Sequence, residues 1–523
     1  MYAQPMRSTA LPSHLLALSL LPAAMAATLP GCFSSTNASP TTDAGLDGTS
    51  PGDAQGQVDG PSGDATGPLT DAAADQAAPP PSAGGSGAFG IVTINGKEKM
   101  YLPEQYVLAN GNASIAVVDV SAPGNGYNGA PAQITQIDLG TTNNATATGG
   151  DSNVVIAVST QNNSVYFIDP NTDTLTKTLQ LDTTMFGRSG FSGGGGFVTG
   201  VAVDSVHNRA ILSVFNGFAL VDLTTKTITS VIQAPPSENF GFDSVHQRII
   251  APFYDCTSSD YLDDAGNYLV DDAGNSINPS ACTTPQLPEG GVMTEGLSVI
   301  DLTDDTVYTY QASTTMPEAG GGGYFSYDPT TPVGSEPDSA AVDPTTGIVV
   351  LPSEGNDWQN IIDLSQATFD KSTKTVTAPQ SVILNLDLQG AAVEPNHHLA
   401  FLEEEGGSTV GVFNLSQANA NGGNTPVVVG TMPTAPGGGG FQNIGDPHGI
   451  AVTTSLSTAG PVGFVVDSGY QWVARVDIAG MLAAGGPDGA VMLDDLQMAQ
   501  FVTFLDALTP ENPSEAGTDA AGE

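Results

Sequence analysis

From residue 113 onward, apolar and polar positions alternate in short runs that close on an acid or amide. "SIAVVDV" closes on Asp119, "SVYFIDP" on Asp169, "GFALVDL" on Asp222, "GLSVIDL" on Asp301, "QNIIDLS" on Asp363, "TVGVFNL" on Asn414 and "WVARVDI" on Asp477. Alternation with a period of two predicts strands. The closing Asp or Asn predicts a turn, because its side chain accepts hydrogen bonds from backbone two residues on. A second pattern precedes most of these runs: "GVAVDSVHNRAILSV" from 200, "GFDSVHQRIIAPF" from 241, "AAVDPTTGIVVLP" from 340, "GAAVEPNHHLAFL" from 390 and "HGIAVTTSLSTAGPVGFVV" from 448. Each reads as strand, turn, strand. A third, rich in Thr and Val, follows: "DTLTKTLQL", "KTITSVIQA", "DTVYTYQA" and "KTVTAPQSVI".

The unit is therefore four short strands, repeated seven times over residues 89–482. Four-stranded repeats of this size predict an all-β chain folded as a seven-bladed β-propeller of four-stranded blades. A β-sandwich or two smaller barrels is the alternative. The first unit is the least regular. "GIVTINGKEKMYLPEQYVLANGN" lacks the aspartate turn, so it forms either its own inner pair or a closure against the last blade. The repeats resemble the YVTN-repeat and lactonase-like seven-bladed propellers, most closely in "NSVYFIDPNTDTLTKTLQL" and "DPHGIAV". That resemblance covers nearly all of the repeat region and speaks to fold more than to activity.

The front of the chain has a different pattern. Residues 1–31 carry one basic residue, Arg7, and then an apolar core from Leu15 to about Ala27, which is the outline of an export signal. "Leu29-Pro30-Gly31-Cys32" resembles the bacterial lipoprotein lipobox. The resemblance implies that Cys32 carries the lipid and becomes the first residue of the mature chain. It also implies a membrane partner through that anchor, most simply the outer membrane, on its periplasmic or cell-surface face. Phe33, rather than Asp, at the following position agrees with that address. Two or three acyl chains hold stably where one holds marginally. An ordinary signal peptide with an incidental cysteine is the alternative. Residues 33–88 contain seven Asp and no Lys or Arg, with almost no large apolar side chain. Such a segment cannot bury enough apolar surface to offset ordering. Residues 32–88 are expected to be a lipidated, disordered tether spanning roughly 40 Å by the flexible-chain relation.

Composition narrows the function classes. The 523 residues carry 11 Lys+Arg against 55 Asp+Glu, a formal charge of −44, with 63 Gly and 37 Pro. That field repels nucleic acid and attracts cations or basic partners. There is no CxxCH haem motif. An insertion at 255–292 holds Cys256 and Cys282, which in an exported chain are expected to pair. Its tandem "DDAGN" reads as a stapled hairpin. A calcium loop, with Asp263 and Asp271 among the oxygen ligands, is the sharper alternative, although the spacing is not that of an EF-hand. No other cofactor is expected.

In a propeller blade, the loops between the second and third strands and between consecutive blades open on one face. The chemistry-bearing candidates fall there. Three glycine tetrads end in Phe197, Tyr324 and Phe441, which offer contact area beside permissive backbone. The second-to-third loops contribute Glu354, Glu404, Glu405 and Asp467, and "DPHGIAV" contributes His448. Asp255, Asp357 and Glu403 lie in the same loops. A solvated rim is the plain reading; a cation site or a seat for a basic partner is the sharper one. His207, His246, His397 and His398 fall in turns at the opposite face. Residues 483–523 are expected to form a short helix, around 492–510, and a disordered tail. Together these features point to a membrane-anchored binding or scaffold protein for a protein, peptide or glycan. The alternative is a lactonase-like, metal-assisted hydrolase using the mouth acids.

Overall fold

The computed structural model describes residues 89–506, except 109, 122–132, 160–161, 182–197, 215–216, 236, 238, 254–294, 313–332, 334–336, 338, 354–357, 385–389, 404–408, 418–427, 434–448, 455–459, 467–471 and 486–490. Its strands form seven separate sheets. Blade 1 holds β1 (Gly90–Ile94), β2 (Lys97–Val107), β3 (Ala113–Asp119) and β4 (Gln133–Asp138). Blade 2 holds β5 (Ala147–Gly150), β6 (Val155–Ser159), β7 (Ser164–Asp169) and β8 (Thr174–Gln180). Blade 3 holds β9 (Val198–Asp204), β10 (Arg209–Val214), β11 (Gly217–Asp222) and β12 (Thr227–Gln233). Blade 4 holds β13 (Gly241–Asp243), β14 (Arg248–Phe253), β15 (Gly296–Asp301) and β16 (Thr306–Gln311). Blade 5 begins with β17 (Ala341–Asp343), β18 (Ile348–Leu351) and β19 (Trp358–Asp363). It detours through β20 (Thr368–Asp370) and β21 (Thr375–Thr377) before its own outer strand β22 (Gln380–Leu384). Blade 6 holds β23 (Gly390–Glu394), β24 (Leu399–Glu403), β25 (Thr409–Asn414) and β26 (Val428–Thr431). Blade 7 holds β27 (Ile450–Thr454), β28 (Pro461–Val466) and β29 (Trp472–Asp477). After α1 (Ile478–Gly485), β30 (Val491–Leu493) and α2 (Asp495–Met498) it is completed by β31 (Val502–Asp506).

All seven runs that close on Asp or Asn are the third strands of their blades, as the repeat predicts, but they do not alternate. β7, β11 and β15 are each buried at five successive positions, because a neighbouring blade covers each face, while alternation is confined to outer strands such as β8. The acid then caps the turn. Asp169 Oδ1 accepts from the Asn171 N–H at 2.9 Å, Asp222 Oδ1 from the Thr225 N–H at 2.6 Å, and Asp301 Oδ1 from the Thr303 N–H at 2.9 Å. The last turn position has positive φ at Asp173, Lys226 and Asp305. Asx and bulge geometry lets non-glycine residues adopt it there.

Seven apolar clusters hold the ring, one at each junction between neighbouring blades. The ring closes between blades 1 and 7 without a shared strand. Phe89, Ile91, Met100 and Leu102 pack there against Val462, Phe464, Val473 and Leu505. Blade 1 thus forms its own inner pair, β1 with β2, and the sequence ambiguity resolves that way. The buried Glu98 carboxylate faces the buried Arg475 guanidinium across the same seam. Burial lowers the Arg475 pKa, while Glu98 and then Asp477 oppose the shift.

Two elements depart from the simple repeat. "KTVT" at 374–377 does not begin blade 5's outer strand; β21 pairs in parallel with β16 of blade 4. The stretch expected as a helix around 492–510 instead holds β30, which pairs in parallel with β26, the short helix α2, and β31, the outer strand of blade 7. The reason is tertiary. Without β31 the outer edge of β29 would lack a partner, and Met481, Leu493 and Met498 fill the junction between blades 6 and 7.

Candidate functional site at the two ends of the ring

In each blade the first strand begins, the second ends, the third begins and the fourth ends at one and the same end of the ring. This mouth end receives the long connections: 182–197 between β8 and β9, 254–294 between β14 and β15, 313–340 between β16 and β17, and 432–449 between β26 and β27. The only Lys or Arg in the mouth-end connections is Arg188. Phe197, Tyr324, Phe441, Glu354, Glu404, Glu405, His448 and Asp467 all belong to connections joining strand ends here, and their own placement lies outside the described residues. So does that of Cys32, Cys256, Cys282, Asp263 and Asp271.

What the structure does describe at the mouth end is how the connections are seated. Ser159, Ser213 and Ser353, at or near the ends of second strands, each donate a hydroxyl hydrogen bond into an inter-blade connection. Their acceptors are the carbonyls of Asn144, at 2.6 Å, Ser237, and Val333, at 3.4 Å. In blade 5 this grows into a buried network. Ser353 N–H donates to Gln359 Oε1 (2.9 Å), Asn360 Nδ2 donates to the Val333 carbonyl, Gln380 Nε2 donates to Asn360 Oδ1, and the Tyr310 hydroxyl donates to Gln380 Oε1 (3.1 Å). In blade 6 the corresponding position is Glu403, which is 2% exposed. Its side chain lies over the first residue of inner strand β23: a Cβ on Gly390 would sit 2.9 Å from Glu403 Cγ and Oε1. Gly449, just before β27, is required by the Val466 carbonyl, 2.8 Å from where a Cβ would sit, and the inner-strand Gly90 and Gly241 lie tightly against neighbouring backbone at 3.1 and 3.0 Å. Sequence reasoning missed the seryl seats. A Ser closing an apolar second strand, as in "IAVST", "ILSV" and "VLPSE", was the available signal.

The opposite end carries tight turns built on buried carboxylates. Asp204 Oδ2 meets His207 Nδ1 at 2.9 Å and accepts from Arg209 Nε at 2.9 Å. Asp243 Oδ2 meets His246 Nδ1 at 2.7 Å, and Glu394 Oε2 meets His397 Nδ1 at 2.7 Å. His398, at positive φ in blade 6, reaches back to Asp343 Oδ2 of blade 5 at 2.7 Å. Desolvation raises the Asp243 pKa, against hydrogen bonds and charge from His246. Basic residues stitch adjacent blades. Lys99 Nζ donates to Asp173 Oδ2 at 2.7 Å, Lys371 Nζ to Asp304 Oδ2 at 2.6 Å, and Arg209 Nη2 to Gln247 Oε1 at 2.8 Å. These histidines resemble catalytic or metal-ligand pairs in their Nδ1 contacts. They are spread one pair to a turn over blades 3 to 6, and among the described residues no group of three or more His, Cys, Asp or Glu gathers to hold a metal ion. Their role here is to cap turns and join blades.

The fold and its two unlike ends define the class: an all-β, seven-bladed propeller with acidic, glycine-rich connections at one mouth and tight, ion-paired turns at the other. No protein-family model matches the sequence, and no curated protein matches it at a significant level. Solved structures similar to it include a hypothetical selenium-binding protein from Sulfolobus tokodaii, with 12% identity, 82% of this chain and 92% of that chain covered, and a TM-score of 0.45. Kluyveromyces lactis Hsv2 gives 8% identity, 75% and 93% coverage and a TM-score of 0.35. Hydrazine synthase from Kuenenia stuttgartiensis gives 10% identity, 60% and 80% coverage and a TM-score of 0.34.

Proposed function

We propose that this protein is an exported, lipid-anchored binding or scaffold propeller of the YVTN-repeat and lactonase-like kind. Cys32 ties it to a membrane, residues 33–88 give it reach, and its mouth engages a protein, peptide or glycan. The observation that carries this reading is the division of labour between the two ends of the ring. One end is consumed by internal latches, while the other collects the long acidic connections on a rigid frame seated by Ser159, Ser213 and Ser353. Loops held by a rigid scaffold are where binding residues concentrate. The acidity of those connections favours a basic surface on the partner.

Two measurements test it. Wild-type protein expressed in a lipoprotein-processing bacterium is expected to incorporate labelled palmitate and to sediment with membranes, while Cys32→Ala is soluble and unlabelled. A soluble wild type would end the anchor reading. Capture of partners by the mature protein is expected to weaken in Glu404→Gln/Asp467→Asn with the melting temperature unchanged. A divalent ion retained through dialysis and released in Asp467→Asn, together with lactone turnover, would replace binding by metal-assisted hydrolysis.

A further inference from the structure

The outermost strand of each blade presents one edge that its own blade does not pair. Two of these edges are occupied by strands from the next blade in the ring, both in parallel. β21 joins β16 through Thr309↔Thr375, Tyr310↔Val376 and Gln311↔Thr377, and β30 joins β26 through Val428↔Val491, Val429↔Met492 and Gly430↔Leu493. Each is supplied by a long connection between the third and fourth strands, 364–379 in blade 5 and 478–501 in blade 7. In blade 4 the same connection is the tight turn Leu302–Asp305, so it cannot reach back to β12, the edge of blade 3. Among the described residues no strand pairs with the outer side of β12.

β12 reads "TITSVIQ", with no charge and no proline. A bulge sets Thr229 out of register, after which Ser230, Val231, Ile232 and Gln233 pair without interruption with Leu220, Ala219, Phe218 and Gly217. Aligned on the closing glutamine, Val231–Gln233 corresponds to the Thr309–Gln311 stretch that β21 occupies in blade 4. Blade 2 supplies the contrast. Its edge strand "TLTKTLQ" has the same length and the same bulge, but carries Lys177 where β12 has Ser230. The Lys177 ammonium is held by the Thr225 and Lys226 carbonyls of blade 3. A charge at mid-strand is one of the usual means of keeping an edge from pairing, and a regular uncharged edge is a template for another strand.

We propose that the edge of β12, centred on Val231–Gln233, is a strand-addition site for an extended, uncharged segment of a partner protein, rich in Thr and β-branched residues and running parallel to β12. The site lies on the side of the ring and is independent of the mouth. Backbone hydrogen bonds supply the attachment, as they do for β21 and β30. The preference for Thr and aliphatic residues follows from the two strands this chain itself uses, Thr375-Val376-Thr377 and Val491-Met492-Leu493.

The test is amide hydrogen exchange on the mature protein, titrated with a capped synthetic peptide of residues 372–379 in which glutamine replaces Lys374, so that the probe is uncharged. Saturable slowing of exchange in 230–233 is expected. In Ser230→Lys, which copies the arrangement blade 2 already tolerates, the apparent affinity should fall at least tenfold while the melting temperature holds. Val231→Pro, checked for an intact melt, should abolish it. The proposal is overturned by unchanged exchange at β12 at millimolar peptide, by slowing confined to β16, or by equal binding in Ser230→Lys. It is equally overturned if light scattering shows that a dimer of this chain accounts for the protection of β12.

Discussion

The latch between blades 1 and 2 gives the sharpest prediction. Asp173 accepts from Lys99 Nζ at 2.7 Å through one carboxylate oxygen and from the Tyr101 hydroxyl at 2.6 Å through the other. The Lys99 and Asp173 side chains are 10% and 11% exposed, and Tyr101 is fully buried, with its pKa pushed upward by desolvation and by Asp173. Asp173→Asn keeps an acceptor for Tyr101 and suits the positive φ of 53° at this turn position. It leaves the Lys99 ammonium with only the Pro170 carbonyl at 3.1 Å. Removing one partner of a buried pair costs about 3–5 kcal/mol. Because Pro170 remains, the low end, about 3 kcal/mol, is expected. With an unfolding entropy of about 2.1 cal/mol/K per residue over roughly 400 residues, that is a fall of about 3–4 °C in melting temperature. Tyr101→Phe should cost about 1.5 kcal/mol, the value of one hydrogen bond to a charged group. Lys99→Met/Asp173→Asn should be milder than the sum of its single variants by about 1 kcal/mol or more, since the stranded charge is gone. Calorimetry of the four proteins decides it. A shift below about 1 °C for Asp173→Asn, or strict additivity in the double variant, would refute the claim that this pair joins the blades.

Other outcomes follow from the same structure. Gly463→Ala would place a Cβ 2.5 Å from the Phe401 ring of the neighbouring blade, so overpacking should cost about 1–3 kcal/mol in chemical denaturation, and a neutral result would mean blades 6 and 7 separate easily. Ending the chain after residue 490 removes β31 and the Met498 and Leu493 side chains from the junction of blades 6 and 7, so the cooperative melt should broaden or vanish; an unaltered melt would show that blade 7 stands on three strands. The turn acids are held below the ordinary aspartate pKa, Asp169 by the Asn171 N–H, Asp222 by the Thr225 N–H and Asp370 by the Ser372 hydroxyl. Their stabilisation is therefore complete above the unfolded value, about 3.9, and is lost as pH falls through the lowered folded values. Asp222→Ala should lower the melting temperature at pH 6 and make little difference near pH 2, and a gap unchanged between the two would refute the turn assignment.

Much of this architecture was written locally. Each third strand announces itself because burial on both faces of a blade needs an apolar run, and the acid after it caps a turn within three residues. The apolar run is a local pattern and the cap acts within a few residues, so the seven blades and the turn histidines at the non-mouth end could be read from one chain, although what buries each run is the neighbouring blades. The export signal, the lipobox-like Cys32 and the acidic tether are likewise properties of composition and short motif, and they remain sequence-based expectations. What the tertiary structure decided depends on contacts between distant residues. Nothing near 492–510 says strand, since β31 becomes one only by completing the edge of β29, and "KTVT" joins blade 4 because that edge lies beside it in the ring. Among the described residues, the glycines with the closest neighbours, Gly217, Gly430 and Gly463, are set by contacts with residues of other strands and of the neighbouring blade or segment. Lys99 with Asp173, and Glu98 facing Arg475, are pairs between residues far apart in the chain, brought together by circular closure of the sheets. Local periodicity determined the blades, and only the closed ring determined how each blade is held to the next.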